Sequence, residues 1–326
     1  MPNSKQNFWQ ALPRPIIALA PMVDVTDSAF RQLAKQWGAD VVYSEMISAD
    51  ALMHNSPKTK GMLAHDGSEY PFVVQLMGKD PAVLAGAAKM AAAAGADGID
   101  INFGCPANKV AKNMCGVMLM RDLELSHSLI AAVIDAVAIP VSIKVRISIN
   151  DKHGSSLKKV TILEFLQRMK DLPIAAIMVH GRSFEAPYEG GIDIDMIKEV
   201  KKIFTSGPVL ANGGLQHIED AATVLAETGA DGLGLARSVL GKPWVIKQVK
   251  DYLKKGRYEQ LDWEAVKQLM VDHATLHEQY RGRKPFYAIR HHLAQYAKGH
   301  PHAAELRTQL VQVNSTDDVK SVLSNF

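Results

Sequence analysis

The chain has 326 residues, with 37 Lys+Arg against 34 Asp+Glu and a formal net charge of +3. Hydrophobic residues make up 47 % and charged residues 22 %; this balance supports a large buried core and excludes intrinsic disorder. So small a total charge gives no support to a strongly basic nucleic-acid binder. No stretch approaches the roughly 18 consecutive apolar residues of a membrane span. The polar, proline-bearing start MPNSKQNFWQALPRP, followed by the short apolar run Ile16 to Val23, lacks the features of a signal peptide. The two cysteines, Cys105 and Cys115, form no C-x-x-C, so neither a disulfide framework nor a metal site is expected. A reducing, cytoplasmic setting follows as the expectation.

Eight short, β-rich apolar runs come in order: IIALAP (16–21), VVYSEM (41–46), PFVVQLM (71–77), GIDINFG (98–104), VSIKVRI (141–147), AAIMVHG (175–181), PVLANGG (208–214) and GLGLAR (232–237). Continuous apolar runs read as parallel strands buried on both faces. Each is followed by a predicted helix, the pattern of βα units. Gly-Ala-Asp recurs at 38–40, 95–97 and 229–231, each time just before a strand; a glycine there suits the left-handed residue that ends a helix. Units of roughly 29 residues from 16 to about 248 predict a (β/α)8 TIM barrel, near the ~250 residues of that fold. A doubly wound sheet is the runner-up, but it calls for a G-x-G-x-x-G turn after an early strand, and none stands there. Beyond residue 248 the pattern becomes helical, at 261–280, 290–298, 303–313 and 317–323. The expected division is a barrel over 1–248 and an all-helical domain over 249–326.

Active sites of such barrels lie at the C-terminal ends of the strands. Read in order, those ends supply Pro21-Met22, Glu45, Gln75, Asn102 and Cys105, then Lys144, Arg146, His180, Arg182, Asn212-Gly213-Gly214 and Ala236-Arg237. So many polar groups on one rim point to a large ligand over the mouth. Ala-Asn-Gly-Gly at 211–214 and the turn at Arg237 follow strands seven and eight, where phosphates commonly sit; glycine lets backbone N–H groups approach an anion, and a helix N-terminus after Arg237 would add its dipole. The alternative is two ordinary tight turns. Lys144 lies inside an apolar strand and needs an anion, either a ligand or Asp100 or Glu45 of the chain itself. His180 is either a core histidine or a ligand contact. Gly104 and Pro106 force a turn that lifts Cys105 over the mouth. An ordinary thiol is mostly protonated at neutral pH, so Cys105 is either a proton donor, a nucleophile or a small buried residue; Cys115 reads as the buried one.

The stretches LAPMVDVTDSAFRQLAKQWGADVVYSEMISADAL (19–52) and INFGCPANKVAKNMCGVMLMRD (101–122), then VSIKVRI, VHGRSFEAPYEGG, ANGG, LARSVLGKPW and AIRHHLAQYAKGHPHAAELR (288–307), resemble the tRNA-dihydrouridine synthase family in the family's order, over roughly 16–323. The tail leans to the bacterial B type. The resemblance implies an FMN-bound barrel, NADPH (or NADH) as reductant and a uridine of tRNA as substrate, whose C5=C6 bond is reduced. Carried over by position, Pro21, Met22 and Val23 line the flavin through backbone contacts, and Gln75 meets the isoalloxazine edge. Lys144 lies on the N1/O2 side. His180, Asn212, Gly213, Gly214, Ala236 and Arg237 hold the ribityl phosphate region. Asn102 contacts the uracil, and Cys105 is the general acid that protonates C5 after hydride reaches C6. Apart from the carry-over, Arg182 at its strand end and Arg283, Lys284 and Arg290 in the basic tail are candidate substrate contacts. No protein partner is inferred, and a monomer is compatible with the pattern. The chain departs from the family at Ala236, where glycine is common, at Cys115 and Met118, where small residues are, and at Ile194, often aromatic.

Two rivals stand beside this reading. A flavin barrel acting on a free base, of the dihydroorotate-dehydrogenase kind, shares the phosphate turns but leaves the tail and the Gly-Cys-Pro turn unexplained. A non-catalytic RNA-binding relict conflicts with the presence of Gln75, Lys144, His180 and Arg237. The charge divides unevenly: residues 249–326 hold 12 Lys+Arg and 9 Asp+Glu, leaving the barrel neutral. Arg281, Arg283, Lys284, Arg290, Lys298 and Arg307 face only Glu305 within 281–307, interleaved with His291, His292, His300, His302, Tyr280, Tyr287 and Tyr296. This is either a solvated helix face or the patch that phosphate-backbone contact needs.

Overall fold

The computed structural model describes residues 7–153, 156–186, 190–279 and 285–326. Eight strands form the barrel: β1 Ile16–Leu19, β2 Val41–Tyr43, β3 Phe72–Met77, β4 Gly98–Phe103, β5 Val141–Arg146, β6 Ala176–His180, β7 Val209–Asn212 and β8 Gly232–Leu235. Every neighbouring pair is parallel, and β8 returns to β1 through Ile16 opposite Gly232, so the sheet is closed. All eight expected runs supply a strand. Their apolar character follows from burial on both sides: one set packs against the surrounding helices, the other fills the barrel.

The Gly-Ala-Asp echo has a structural role. Gly38, Gly95 and Gly229 all have positive φ, as helix ends require. The aspartate two residues on from each one clamps the first or second residue of the preceding strand. Asp40 accepts from Ile17 N at 2.7 Å, Asp97 from Phe72 N at 2.9 Å, and Asp231 from Val209 N at 2.8 Å. Lys250 Nζ donates to Asp40 at 2.6 Å and Lys201 Nζ to Asp231 at 2.7 Å, tying helices to this lower face.

That lower end is plugged by the short helix Phe8–Ala11. Phe8 and Trp9 join Ile16, Ala18, Val41, Tyr43, Met178 and Leu210 in an apolar cluster. Beyond the eight expected strands the fold has this plug, a two-residue strand Ile47–Ser48 parallel to β3, and an antiparallel hairpin, Ser148–His153 with Ser156–Thr161. The hairpin follows β5 at the functional end of the barrel, and Arg121 donates to its Asn150 carbonyl at 2.5 Å.

Helix Val245–Lys255 spans the expected division at 248, and its Ile246 and Val249 belong to the barrel's core. Helices Trp263–Gln279, Arg290–Tyr296, Ala303–Leu310 and Thr316–Leu323 build a second core around Leu269, Met270, Leu293, Leu306 and Val319. Leu33 of barrel helix Ser28–Gln36 and Trp244 enter that core too, so the helical region rests on the first and last βα units. No helix among the described residues is long and apolar enough to cross a membrane.

Candidate active site

Strand register places the site's polar residues in layers. Gln75 lies beside Asp100 and Asp100 beside Ser142. One step higher, Asn102 neighbours Lys144. At the rim, Arg146 neighbours His180, His180 neighbours Asn212, and Asn212 neighbours Gly234. Residues of neighbouring parallel strands in register share a face, so these form one polar band along adjoining strands.

The upper band is strongly cationic. His180 is pushed down to about 2, first by burial and then by Lys144, Arg146, Arg182 and Arg237, so it is a neutral imidazole at any physiological pH. Lys144 is brought down to about 8 by burial and by Arg146, with Asp100 opposing. Among the described residues its ammonium forms no ion pair, which leaves the alternative of a salt bridge to Asp100 or Glu45 without a contact. Burial and Arg237 lower the Arg182 guanidinium; Arg182 Nη2 donates to Gly190 O at 2.8 Å. Arg146 holds Gly104 O at 2.8 Å and Ser183 O at 3.1 Å.

Beside these cations the two glycine turns open a cleft. His180, Arg182, Asn212, Gly213, Gly214, Ala236 and Arg237 line about 1040 Å³ of empty space, part of it open to solvent. Gly213 and Gly214 have φ of +96° and +78°. A Cβ on Gly213 would stand 3.0 Å from the His180 ring, and one on Gly214 3.0 Å from Ile192, so only glycine keeps this turn low and its amides uncovered. Asn212 Nδ2 donates to Gly234 O at 2.6 Å, locking β7 to β8. The segment after Ala236 is a three-residue 3₁₀ turn, Arg237–Val239, and the α-helix begins only at Val245. Gly241 and Pro243 lie between them. What is offered there is a turn's amides, not the dipole of a long helix.

Cys105 stands on the loop after β4, partly exposed, with a free thiol. Asn102 Oδ1 accepts from Gly104 N at 3.1 Å and Cys105 N at 2.9 Å, and Asn102 Nδ2 donates to Gln75 Oε1 at 2.9 Å. The turn at Cys105 is therefore held by Asn102 as well as by Pro106. Cys115 is buried; burial pushes its thiol up, and its Sγ donates to Asn113 O at 3.5 Å. Met118 and Ile194 pack against the barrel core. In the loop after β1, Met22 N donates to Thr26 Oγ1 at 3.2 Å, while Val23 is 52 % exposed; Pro21 is half-buried.

The tail sorts its residues by helical face. His292 and Tyr296, one turn apart, point inward: both are buried, with Tyr296 Oη and His273 Nδ1 3.0 Å apart. They belong to the core and not to a basic surface, because the face they share packs on helix Trp263–Gln279. Tyr287 is 65 % exposed, and His291 and His302 are exposed. Arg290 binds Val313 O at 2.8 Å and Asn314 Oδ1 at 2.6 Å, so much of its guanidinium is engaged in fastening the chain. Arg283 and Lys284 lie outside the described residues.

From sequence, Asp100 stands only as an alternative partner for Lys144. The alternation Asp100-Ile-Asn102 in an otherwise apolar strand is the signal that marks it, since a buried carboxylate needs partners.

The family model described as "Dihydrouridine synthase (Dus)" matches residues 18–326. A tRNA-dihydrouridine synthase B of Pseudomonas aeruginosa is 36 % identical over 310 residues, 94 % of this chain and 90 % of that protein. The tRNA-dihydrouridine synthase B of Vibrio cholerae is 34 % identical and covers 95 % of each. A probable tRNA-dihydrouridine synthase 1 of Synechocystis is 34 % identical, over 93 % of this chain and 84 % of its own length. Among solved structures, histamine dehydrogenase from Rhizobium sp. 4-9 superposes with a TM-score of 0.54 at 15 % identity. It matches 80 % of this chain, which spans 49 % of that one, and shows the barrel fold alone. A match along nearly the whole length settles the affiliation: the chain belongs to the dihydrouridine synthase family.

Proposed function

We propose that this chain is a tRNA-dihydrouridine synthase that holds FMN in the barrel mouth, uses NADPH (or NADH) as reductant, and protonates the reduced uracil through Cys105. The relatives' names support the substrate. The observation that carries the cofactor is the convergence of Lys144, Arg146, Arg182 and Arg237 on a neutral His180 beside the Gly213-Gly214 turn. So many cations together call for an anion. The cleft fits a phosphate-bearing group, because His180, Arg182 and Arg237 line it together with the left-handed Gly213-Gly214 turn, where His180 and Ile192 leave no room for a side chain.

FMN, when bound, takes hydride from a nicotinamide and supplies it to C6 of the uracil. The Gly213-Gly214 and Ala236-Arg237 turns, with Asn212, would seat its phosphate. Lys144 would face the ring edge where negative charge gathers, and its ammonium has no competing ion pair among the described residues. Pro21, Met22 and Val23 would form the rim beside it; Met22 would offer its side chain, since its amide is given to Thr26 Oγ1 and its carbonyl accepts from Val25 N, Thr26 N and Thr26 Oγ1. Gln75 and Asn102 each keep one N–H after their mutual bond and their other partners are counted, so both present donors to ligand carbonyls. Cys105, raised by Asn102 and Pro106, would hand its thiol proton to C5. The uridine must leave its stack to reach this mouth. Arg182, Arg283, Lys284 and the free edge of Arg290 would meet the RNA backbone, as would exposed Tyr287. A cytoplasmic site of action follows from such a substrate.

Purified protein incubated with FMN, NADPH and unmodified tRNA tests the reading, with dihydrouridine measured by mass spectrometry. Wild type is expected to form it, and Cys105→Ala to bind FMN and oxidise NADPH without forming it. Wild-type yields from Cys105→Ala overturn the acid role. No flavin uptake and no product from wild type overturn the whole reading. Equal turnover of free uracil or orotate transfers it to a free-base reductase.

A further inference from the structure

The barrel interior contains a chain of hydrogen bonds with a definite direction. Ser142 Oγ donates to Asp100 Oδ1 at 2.7 Å, and Gln75 Nε2 donates to Asp100 Oδ2 at 2.7 Å. Gln75 Oε1 accepts from Asn102 Nδ2 at 2.9 Å. Asn102 Oδ1 accepts from Cys105 N at 2.9 Å. Asp100 is fully buried; Gln75 and Asn102 are 1 % and 6 % exposed.

An amide side chain has two senses that differ only in exchanging N for O. Here both ends of the series are fixed. The N–H groups of Gly104 and Cys105 are donors only, and the Asp100 carboxyl, raised by burial to about 6 against the hydrogen bonds from Gln75 and Ser142, is ionised at neutral pH and is then an acceptor only. Reversing Asn102 would set its NH₂ against those two backbone donors. Reversing Gln75 would set its oxygen against the carboxylate. An acceptor at position 100 is therefore what allows Gln75 to face Asn102 with its oxygen, and Asn102 to face the thiol-bearing loop with its own.

We infer that Asp100 is a positioning residue: through Gln75 and Asn102 it fixes the turn that carries Cys105, three hydrogen bonds away. The inference rests on the proposed function for its consequence, but the bond series itself does not.

The test compares Asp100→Leu, which has a similar shape and no acceptor, with Asp100→Asn. The asparagine can still accept from Gln75, and its NH₂ can face the Ser142 hydroxyl, whose proton can turn to Ile99 O, 3.4 Å away. Two readouts are used on the full-length, FMN-loaded protein. One is dihydrouridine formation on unmodified tRNA, resolved into kcat and KM. The other is the rate of Cys105 alkylation by iodoacetamide, identified by peptide mass so that Cys115 does not contribute. Asp100→Leu is expected to lose roughly 30- to 100-fold in kcat with little change in KM, the scale of a misplaced reacting group. Its alkylation rate is expected to change by about threefold or more, and NADPH-driven flavin reduction by less, because that step does not use the thiol. Asp100→Asn is expected to restore both to within about threefold of wild type.

Wild-type kcat and alkylation in Asp100→Leu overturn the inference, as does a loss in Asp100→Asn equal to that in Asp100→Leu. If Asp100→Leu does not fold, Asp100→Ser, whose shorter side chain falls short of Gln75, takes its place with the same expected outcomes. Absence of product from wild type, with the alkylation pattern as expected, defeats the proposed function and leaves the positioning of Cys105 standing.

Discussion

Replacing Lys144 by methionine separates what the ammonium costs the fold from what it offers a ligand. The structure lowers Lys144 from 10.5 to about 8, chiefly by burial and then by Arg146. With a depressed folded value, the unfolded chain binds the proton more readily between those two pH values. Stability linked to Lys144 is therefore present above 10.5 and is lost as pH falls through about 8. Such a depression corresponds to about 3 kcal/mol. The side chain is only partly exposed, and solvent screening reduces the figure to about 2 kcal/mol. Methionine keeps most of the stem and removes the charge. Ligand-free Lys144→Met is expected to be more stable than the parent at pH 7 by about 2 kcal/mol, with that gain shrinking as pH approaches 10. Urea denaturation of both proteins at the two pH values reads the difference. The pH dependence matters more than the size, because added apolar burial stabilises the variant equally at both. FMN narrows that gain: the variant is expected to bind it at least ~10-fold more weakly, having lost a charge-assisted partner, which offsets about 1.4 kcal/mol of the difference at saturating ligand. A stability difference that stays flat with pH would refute the reasoning, as would undiminished FMN affinity.

Two further changes probe the frame around the site. Gly213→Ala puts a Cβ on a residue at φ +96°, 3.0 Å from the His180 ring. It is expected to destabilise by about 1–3 kcal/mol and to weaken FMN binding, measured by thermal melting and fluorescence titration; no change in either would mean that the turn does not form the phosphate seat. Glu69→Gln breaks the buried pair with Arg31, 2.5 Å apart and 0 % and 1 % exposed. Leaving that guanidinium without its carboxylate is expected to cost about 3–5 kcal/mol in urea denaturation, and a loss under about 1 kcal/mol would show that its bonds to Thr26 O and Ala64 O suffice.

Much of the architecture is written locally. Short apolar runs separated by helices could bury both faces only as parallel strands, so the eight strands were legible, and the Gly-Ala-Asp echo marked three of their starts. The Gly-Cys-Pro turn and the Asn-Gly-Gly turn were equally visible, because glycine and proline restrict the backbone wherever they stand. The family resemblance lay in those same stretches.

Tertiary structure decided what depends on neighbours distant in sequence. Closing β8 against β1 set the register that put Gln75 beside Asp100 and Arg146 beside His180; a strand's own alternation names two faces without saying which one lines the barrel. Packing of helix Arg290–Tyr296 on helix Trp263–Gln279, with Phe30 of helix Ser28–Gln36 stacked on His292, turned His292 and Tyr296 inward, where composition alone grouped them with a basic surface. The hairpin at 148–161 escaped notice because its polar, charged strands pair with each other and not with the apolar sheet. The sense of the Asp100–Gln75–Asn102 series likewise arises only when strands 25 or more residues apart in sequence meet, since each amide is ambiguous until both of its neighbours are in place.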